Sequence, residues 1–319
     1  MSDQAEVFPG RAPALRSWLF VPGDSERKQA KALTTGADAV ILDLEDSVDP
    51  QQLPAARARV RELLRSHRAA AQPQLWVRVN PPAGELCRED LTAIFAAEAG
   101  GMGGLPDGIV VPKVSTAAEI VALADLLTQL EGQRAVQRGH TRLLVLATET
   151  AQGLLALPQL PAMLNAAVGA RIRLTGLTWG VEDLGAALGT LARRDASGVL
   201  TFTFQMARSS CLLAAAALGV QAIDGVYVNF KDAKGLRLEL QDARRDGFSG
   251  KLAIHPDQVA PINEAFTPTA AEREHAQRVV AAFAAAGGAG VASLDGQMLD
   301  RPHLVQAQRI LAVQGGKGN

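Results

Sequence analysis

Residues 143–148 read LLVLAT and residues 174–179 read LTGLTW, and an acidic residue follows each run, Glu149 and Asp183 respectively. Both runs are short and apolar, which is typical of buried strands, and a helix-like segment separates them. A strand–helix–strand order favours parallel pairing, so that the carboxyl ends of the two strands lie at the same edge of a sheet. The stretch from Leu143 to Asp183 therefore predicts an α/β unit with two carboxylates at one edge.

The same alternation extends along most of the chain. Strand-like segments occur at 17–21, 38–43, 75–79, 107–111, 142–148, 173–179, 223–228 and 250–254, and helix-like segments rich in Ala, Leu, Arg and Gln separate them. Eight such strands are the number that closes a (β/α)₈ TIM barrel. A doubly wound open sheet is the alternative, although no GxGxxG pattern follows the first strand.

The predicted domain organisation is a catalytic barrel followed by a helical extension. We assign residues 1–267 to the barrel domain, with a short flexible N-terminal tail, and residues 268–319 to a C-terminal helical segment. The segment at 270–286 predicts a helix, and residues 291–313 predict a short loop followed by a further helix. This segment could act as a lid over the barrel or reach a neighbouring subunit; a plain stabilising extension is the alternative.

Composition excludes several classes of partner. The 319-residue chain has 32 basic and 33 acidic residues and a formal charge of −1, so we expect neither nucleic acid nor a membrane as partner. It contains no apolar run long enough to span a membrane and no signal-peptide core; the cysteine usage predicts a reducing compartment and a cytoplasmic protein. Two cysteines, Cys87 and Cys211, are too few for a disulfide framework or a thiolate metal site.

Charged or hydrogen-bonding residues follow nearly every predicted strand, where TIM-barrel active sites lie. They are Asp43, Glu45 and Asp46, Arg78 and Asn80, Lys113, Glu149, Asp183, Asn229, Lys231 and Asp232, and His255, in strand order. Glu149 and Asp183 suit Mg²⁺, which takes oxygen ligands and usually keeps several waters. The alternative is that each of these two acids caps the helix after it.

Nine blocks of sequence resemble the HpcH/HpaI aldolase–citrate lyase superfamily, and within it the citrate lyase β-subunit-like (CitE-like) branch, which includes malyl-CoA and citramalyl-CoA lyases. They occur in the family's order from Arg16 to near the last helix. The blocks are RSWLFVPGD (16–24), GADAVILDLEDSV (36–48), WVRVNPP (76–82), VPKV (111–114), LATETAQGLL (146–155), LTWGVEDL (177–184), AIDGVYVNFKD (222–232), GKLAIHPDQV (250–259) and LDGQMLDRP (294–302).

The resemblance implies a Mg²⁺-dependent barrel, commonly a homotrimer, that makes or breaks a carbon–carbon bond between an acyl-CoA and a short 2-oxo acid. It implies that Glu149 and Asp183 hold the metal and that Arg78 binds the oxo-acid carboxylate. It further implies that Asp300 serves in acid–base catalysis, in its own barrel or an adjacent one. The family's CoA contacts would correspond here to Arg16, Phe20 and Lys28.

The chemistry of these side chains agrees with such roles. The planar guanidinium of Arg78 can grip a carboxylate with two hydrogen bonds, which Lys does poorly. A carboxylic acid in a water-poor pocket can donate and accept a proton near neutral pH, which suits Asp300; Asp295 is its competitor.

Five further residues have roles that stay open. Asp43 and Glu45 could hydrogen-bond metal-bound waters or Arg78, while a helix cap is an equal alternative for Asp46. Lys113 could add positive charge for a CoA phosphate or a carboxylate. His255 is expected to orient a loop, with a purely structural histidine as the alternative.

The expected function is a lyase that cleaves or forms a short 3-hydroxyacyl-CoA such as malyl-CoA, citramalyl-CoA or citryl-CoA, giving acetyl-CoA and a 2-oxo acid. The alternatives are a malyl-CoA thioesterase and a citrate lyase β subunit that acts only with an acyl-carrier partner. Two residues depart from the family pattern: Leu53 stands where a Lys is usual and Asn229 where an acid is common.

Overall fold

The computed structural model describes residues 14–67, 73–96, 104–287 and 290–313. Most of the predicted N-terminal tail, residues 1–13, lies outside the described residues. The chain divides into two compact units, one spanning Leu15–Asn263 and the other containing Glu264 and the residues after it.

Eight parallel strands of the larger unit form a closed barrel, because β1 pairs with both β2 and β8. The strands are β1 Ser17–Pro22, β2 Ala39–Asp43, β3 Gln74–Arg78, β4 Gly108–Val111, β5 Arg142–Leu146, β6 Leu174–Thr178, β7 Gln221–Asp224 and β8 Gly250–Ala253. The predicted (β/α)₈ TIM barrel is confirmed, and the open-sheet alternative is excluded by the β1–β8 pairing.

Helices connect consecutive strands. In the described residues they are α1 Glu26–Ala32, α2 Leu53–Ser66, α3 Glu85–Phe95, α4 Ala117–Gln133, α5 Ala151–Ala156, α6 Leu160–Ala166, α7 Val168–Arg171, α8 Val181–Leu188, α9 Phe202–Leu218, α10 Ala233–Asp246, α11 Val259–Phe266, α12 Ala270–Ala285 and α13 Arg301–Ala312. In α2 the buried residues Leu53, Ala56, Val60 and Leu64 recur every three or four positions, as expected for a helix that packs one face inward. None of these helices has the length and apolar character needed to cross a membrane.

Apolar side chains fill the interior of the barrel. Trp18 and Trp76 pack edge to face there, with their ring centroids 4.8 Å apart. A Cβ atom on Gly108 would lie 2.2 Å from the Trp76 ring, so only glycine fits beside that ring. Because the strands are covered on both faces, a strand such as β2 is buried at all five positions.

The seventh strand differs from its predicted bounds. It ends at Asp224, whereas the sequence pattern predicts a strand through Val228. The Asp224 side chain is fully buried and accepts hydrogen bonds from Trp179 Nε1, Arg208 Nε and Lys251 Nζ, after which the chain leaves the sheet. Asp232, expected at the rim, instead caps α10 by accepting a hydrogen bond from Gly235 N at 2.9 Å.

The smaller unit contains a β-hairpin that the sequence analysis missed. β9, Val291–Leu294, pairs antiparallel with β10, Gln297–Asp300, between α12 and α13. Asp295 and Gly296 form the turn with φ angles of 51° and 78°, the left-handed pair that favours Asp-Gly in two-residue hairpins. The predicted loop over these residues is therefore wrong, and the Asp-Gly pair was the signal for a hairpin.

Candidate active site

A cavity of about 760 Å³ opens at the carboxyl ends of the barrel strands. Its lining includes seven of the residues singled out in the sequence: Phe20, Lys28, Asp43, Arg78, Glu149, Asp183 and His255. They come from β1, β2 and β3 and from the segments after β1, β5, β6 and β8, so the barrel brings together groups that lie far apart in the chain.

Glu149 lies at the wall of this cavity and is 3% exposed. Its Oε2 accepts a hydrogen bond from Lys113 N at 2.7 Å. Burial, joined by the nearby charge of Asp183, raises the pKa of Glu149 well above its ordinary value. The α5 cap is provided by Thr150, whose hydroxyl accepts from Gly153 N at 2.9 Å, so Glu149 is free of the capping role considered as its alternative.

Asp183 lies in the first turn of α8, which begins after Gly180. A Cβ on Gly180 would lie 2.5 Å from Glu149 Cγ, so the glycine leaves the space that the Glu149 side chain occupies. The charge of Asp183 acts on Glu149, so the two carboxylates lie close enough to interact.

Arg78 is held by acidic residues of the β2 end. Its Nε and Nη2 donate to Asp43 Oδ1 and Oδ2, both at 2.7 Å, and its Nη1 lies 2.8 Å from Glu45 Oε2. The guanidinium also stacks over Phe20, 4.8 Å from the ring centroid. Asp43 in addition accepts from Ser47 N at 3.1 Å, which ties the β2 loop to the same carboxylate. The geometry therefore fixes Arg78 before any ligand arrives.

Burial and the contacts with Arg78 together shift the pKa values of Glu45 and Asp43 in opposite directions. Burial raises the pKa of Glu45 to about 6, against the opposing charge of Arg78. Burial alone would also raise the pKa of Asp43, but the two hydrogen bonds from Arg78 hold it below its ordinary value. Asp43 is thus a permanent anchor for Arg78, whereas Glu45 can change its protonation near neutral pH.

Lys113 follows β4 with a φ of 52°, in the left-handed region that non-glycine residues rarely adopt. Its ammonium binds Glu45, lies 2.9 and 3.1 Å from the two carboxylate oxygens of Asp46, and is 3.3 Å from Asp183 Oδ1. Lys113 therefore faces carboxylates of the site; its expected role of adding positive charge for a CoA phosphate or a carboxylate stays a prediction. Asp46 binds this ammonium, and the short 3₁₀ helix that follows is capped by Asp49.

Helix α1 brings three basic residues to the cavity. Lys28, Arg27 and Lys31 all line it, and the last two were missed in the sequence analysis, although the segment ERKQAKA held the signal. Such a group suits a polyanionic ligand such as a phosphate.

Arg16 is not brought to this rim. It directly precedes β1, whose other end, at Pro22, lies at the rim. Because each residue of a strand adds about 3.3 Å, the length of β1 separates Arg16 from the cavity. Its Nε and Nη2 donate to Asp38 Oδ2 and Oδ1, each at 2.8 Å, which fixes the amino-terminal end of the strand. The proposed contact of Arg16 with CoA is therefore corrected: Arg16 anchors the opposite end of β1.

His255 lies after β8 and lines the cavity. Its ring stacks on Phe230 with centroids 4.5 Å apart, and its Nδ1 accepts from Asp257 N at 3.3 Å. These contacts hold the turn Pro256–Gln258, which agrees in position with a loop-orienting role.

Asp300 belongs to the smaller unit, at the end of β10 and directly before α13. It is exposed within that unit and pairs with His303 Nδ1, while its competitor Asp295 pairs with Arg278 at the hairpin turn. The structure thus gives the two acids different local partners.

A family model described as HpcH/HpaI aldolase/citrate lyase matches residues 16–256. The chain belongs to this family. The matched region spans all eight barrel strands and every cavity residue named above.

Relatives within the HpcH/HpaI family carry different activities in their names. A (3S)-malyl-CoA thioesterase of Cereibacter sphaeroides is 39% identical over 98% of this chain and 96% of its own length. The human mitochondrial citramalyl-CoA lyase is 32% identical over 93% of this chain and 85% of its own length. The CitE protein of Mycobacterium tuberculosis, solved in complex with magnesium, acetoacetate and coenzyme A, is 32% identical, covers 94% of this chain and 98% of its own, and superimposes with a TM-score of 0.70.

Proposed function

We propose that this protein is a Mg²⁺-dependent CoA-ester lyase. It would cleave or form the carbon–carbon bond of a short 3-hydroxyacyl-CoA such as malyl-CoA, citramalyl-CoA or citryl-CoA, with acetyl-CoA and a 2-oxo acid as the other reactants. The observation that carries this proposal is the pair Glu149 and Asp183 beside the fixed guanidinium of Arg78, in one cavity at the barrel rim.

The Glu149–Asp183 pair fits a hard divalent cation. The raised pKa of Glu149 comes from burial and from the charge of Asp183, and a cation between the two carboxylates would offset both effects. Within the described parts of the chain, no group of three or more His, Cys, Asp or Glu residues forms a metal cluster. That suits Mg²⁺, which is often held by one or two carboxylates with water and substrate oxygens. When bound, Mg²⁺ would supply Lewis-acid polarisation of substrate oxygens.

Arg78 would bind the carboxylate of the oxo acid. Asp43 uses Nε and one Nη2 hydrogen and Glu45 uses one Nη1 hydrogen, so two of the five guanidinium N–H groups remain for a ligand. Because Asp43 and Phe20 already fix the guanidinium plane, little conformational entropy is lost when the ligand binds.

Phe20 and the basic residues of α1 would contact the CoA portion of the substrate. Lys28 and Lys31 extend into water, where they can meet phosphates, while Phe20 lies deeper and against Arg78. The positive charge on this side also balances the acidic side of the same cavity.

Asp300 is proposed as the acid–base residue that protonates the leaving enolate or forms it in reverse. It would act on the cavity of its own barrel or of a neighbour's in a homo-oligomer, where the hairpin-and-helix unit would serve as a lid.

The activity is tested by product analysis. Purified protein with Mg²⁺ and each of the three CoA esters is expected to release acetyl-CoA and one equivalent of oxo acid from at least one ester. Glu149→Gln, which keeps side-chain size and removes the charge, should lower turnover by about 10³-fold or more. Absence of oxo acid from every ester would refute the lyase activity, and full turnover in excess chelator would refute its dependence on Mg²⁺.

A malyl-CoA thioesterase is the second candidate, and the 39% identity to the Cereibacter sphaeroides protein of that name favours it. The same assay separates the two: hydrolysis releases free CoA and malate, whereas the lyase reaction releases acetyl-CoA and glyoxylate. Equal formation of free CoA and malate, with no acetyl-CoA at early times, would establish the hydrolase instead.

A further inference from the structure

Lys113 contacts both carboxylates of the candidate metal pair through two different groups. Its backbone N–H donates to Glu149 Oε2 at 2.7 Å, and its ammonium lies 3.3 Å from Asp183 Oδ1. The left-handed backbone at this position, with a φ of 52°, lets one residue supply both contacts.

The same ammonium has a second set of partners on the opposite side. It binds Glu45 and the two carboxylate oxygens of Asp46, and Glu45 in turn contacts Arg78. Lys113 therefore stays neutralised even when it leaves Asp183. A simple surface ion pair would not have two alternative acidic partners, one of which is a candidate metal ligand.

Resting on the proposed function, we propose that Lys113 is a positioning residue whose ammonium holds Asp183 beside Glu149 while the metal is absent. Glu149 and Asp183 would hold Mg²⁺ when it is bound, and Glu45 and Asp46 would then retain the ammonium. Lys113 would thus act as an internal counterion that competes with the metal.

This role predicts the direction of a change in metal affinity. Without the ammonium, Asp183 loses its cationic partner in the metal-free site, Arg78 remains as the cation that acts on Glu149, and the bound metal has one positive charge fewer nearby. Both effects favour the metal-bound state, so a neutral residue at this position should bind Mg²⁺ more tightly. A purely structural role predicts the opposite, since a disturbed loop would displace Glu149 and weaken binding.

The test is calorimetric titration of the full chain with MgCl₂ at pH 8.5, where carboxylate protonation competes least, with no CoA ester present. Lys113→Met, which keeps the aliphatic stem, is expected to bind Mg²⁺ about tenfold more tightly than the wild type. In excess chelator, the melting temperature of Lys113→Met should be lower than that of the wild type. Saturating Mg²⁺ should raise the melting temperature of the variant by more than it raises that of the wild type. Lys113→Arg keeps the charge and should bind as the wild type does.

Lys28→Met is the matched control. It removes one positive charge at a residue of α1 that lines the cavity, so it tests whether direct contact with Asp183, rather than the total charge near the site, changes Mg²⁺ affinity. Its Mg²⁺ affinity should stay within about twofold of the wild type, because charges separated by water are screened over about 10 Å.

The outcomes separate this inference from the proposed function. Mg²⁺ binding by the wild type together with unchanged or weaker binding by Lys113→Met would overturn the counterion role and leave the proposed metal site standing. If the wild type binds no Mg²⁺, the proposed function and this inference both fail. Equal tightening by Lys113→Met and Lys28→Met would also overturn it, because contact with Asp183 would then be irrelevant.

Discussion

At the scale of single residues, the position of a side chain along its strand decides whether it reaches the site. Glu149, Asp183 and Arg78 could be grouped from the sequence because each lies at or just beyond the carboxyl end of a strand. Arg16 could not be placed in the same way, because a motif shows that a residue precedes a strand but not which ligand lies within its reach. Its partner Asp38 directly precedes β2, so both residues lie at the amino-terminal ends of the strands, away from the cavity.

Gly180→Ala tests the space beside Glu149. The added Cβ would lie 2.5 Å from Glu149 Cγ and 2.8 Å from Oε1, and the flexible side chain rather than the backbone would give way. We expect a folded protein whose Mg²⁺ affinity, measured by calorimetry, falls about tenfold or more because a proposed ligand is displaced.

Gly132→Ala is the control for that variant. Gly132 lies in α4 with no heavy atom within 4 Å of an added Cβ. It should leave Mg²⁺ binding unchanged and raise the free energy of unfolding by up to about 1 kcal/mol. Wild-type affinity in Gly180→Ala would remove Glu149 from the metal site.

At the scale of secondary-structure elements, alternation of apolar segments was enough to place seven of the eight strands to within about two residues, whereas β7 and the β9–β10 hairpin were placed poorly. The apolar pattern continues past Asp224, but the pairing of β7 with β8 ends at Asp224, which forms a buried ion pair with Lys251. The sequence pattern alone does not reveal this partner, because Lys251 is 27 residues away. The hairpin was missed because its two strands are only four residues long.

Asp224→Asn tests the bond between β7 and β8. Lys251 is fully buried and binds Asp224 Oδ2 at 2.9 Å and Glu239 Oε1 at 2.7 Å. Removing the Asp224 charge leaves buried Lys251 and Arg208 undercompensated, so the free energy of unfolding at pH 7 should fall by about 3 kcal/mol or more. Chemical denaturation measures this, with the exposed pair Asp242–Arg245 as control: Asp242→Asn should change it by less than about 1 kcal/mol.

The effect of Asp224→Asn should also depend on pH. Burial would raise the pKa of Asp224, but the charges of Lys251 and Arg208 lower it to about 2. A lowered carboxyl pKa contributes stability that is present above the unfolded value and is lost as the pH falls through the folded value. The difference between wild type and variant should therefore persist above about pH 4 and shrink toward pH 2; a difference that did not change with pH would contradict this assignment.

At the scale of the whole molecule, closure of the barrel followed from the number of strands, because eight alternating units are what a TIM barrel contains. The C-terminal unit is less determined by pattern. It has a hydrophobic cluster of its own that includes Phe283, Leu299 and Ala307, which accounts for its fold but not for which barrel it serves.

Asp300→Asn tests the proposed acid–base role of that unit. Because Asn is as good a helix N-cap as Asp, α13 and the free energy of unfolding should be preserved. Mg²⁺ binding should be normal, whereas solvent exchange of the α-protons of acetyl-CoA, followed by NMR in D₂O, should fall at least about 10²-fold. Asp295→Asn, at the hairpin turn, is the matched control and should exchange normally.

Mixing Asp300→Asn with an Arg78→Lys variant asks which barrel the acid serves. If Asp300 acts on a neighbouring subunit, hybrid oligomers contain sites with both wild-type residues and recover part of the activity. No recovery, despite subunit exchange shown by mass spectrometry, would place Asp300 over its own barrel. Normal proton exchange by Asp300→Asn would transfer the role to Asp295.

The acidic side of the cavity mouth also sets a sequence of events. Asp43, Glu45, Asp46, Glu149 and Asp183 lie around two cations, Arg78 and Lys113, so the carboxylates outnumber the positive groups there. The carboxylate of an oxo acid is repelled by this acidic group, whereas a divalent cation is attracted to it; the phosphates of an acyl-CoA would meet the basic residues of α1 on the other side of the cavity. In the proposed reaction the metal would therefore enter before the oxo acid and offset part of the negative charge that the carboxylate of that acid meets.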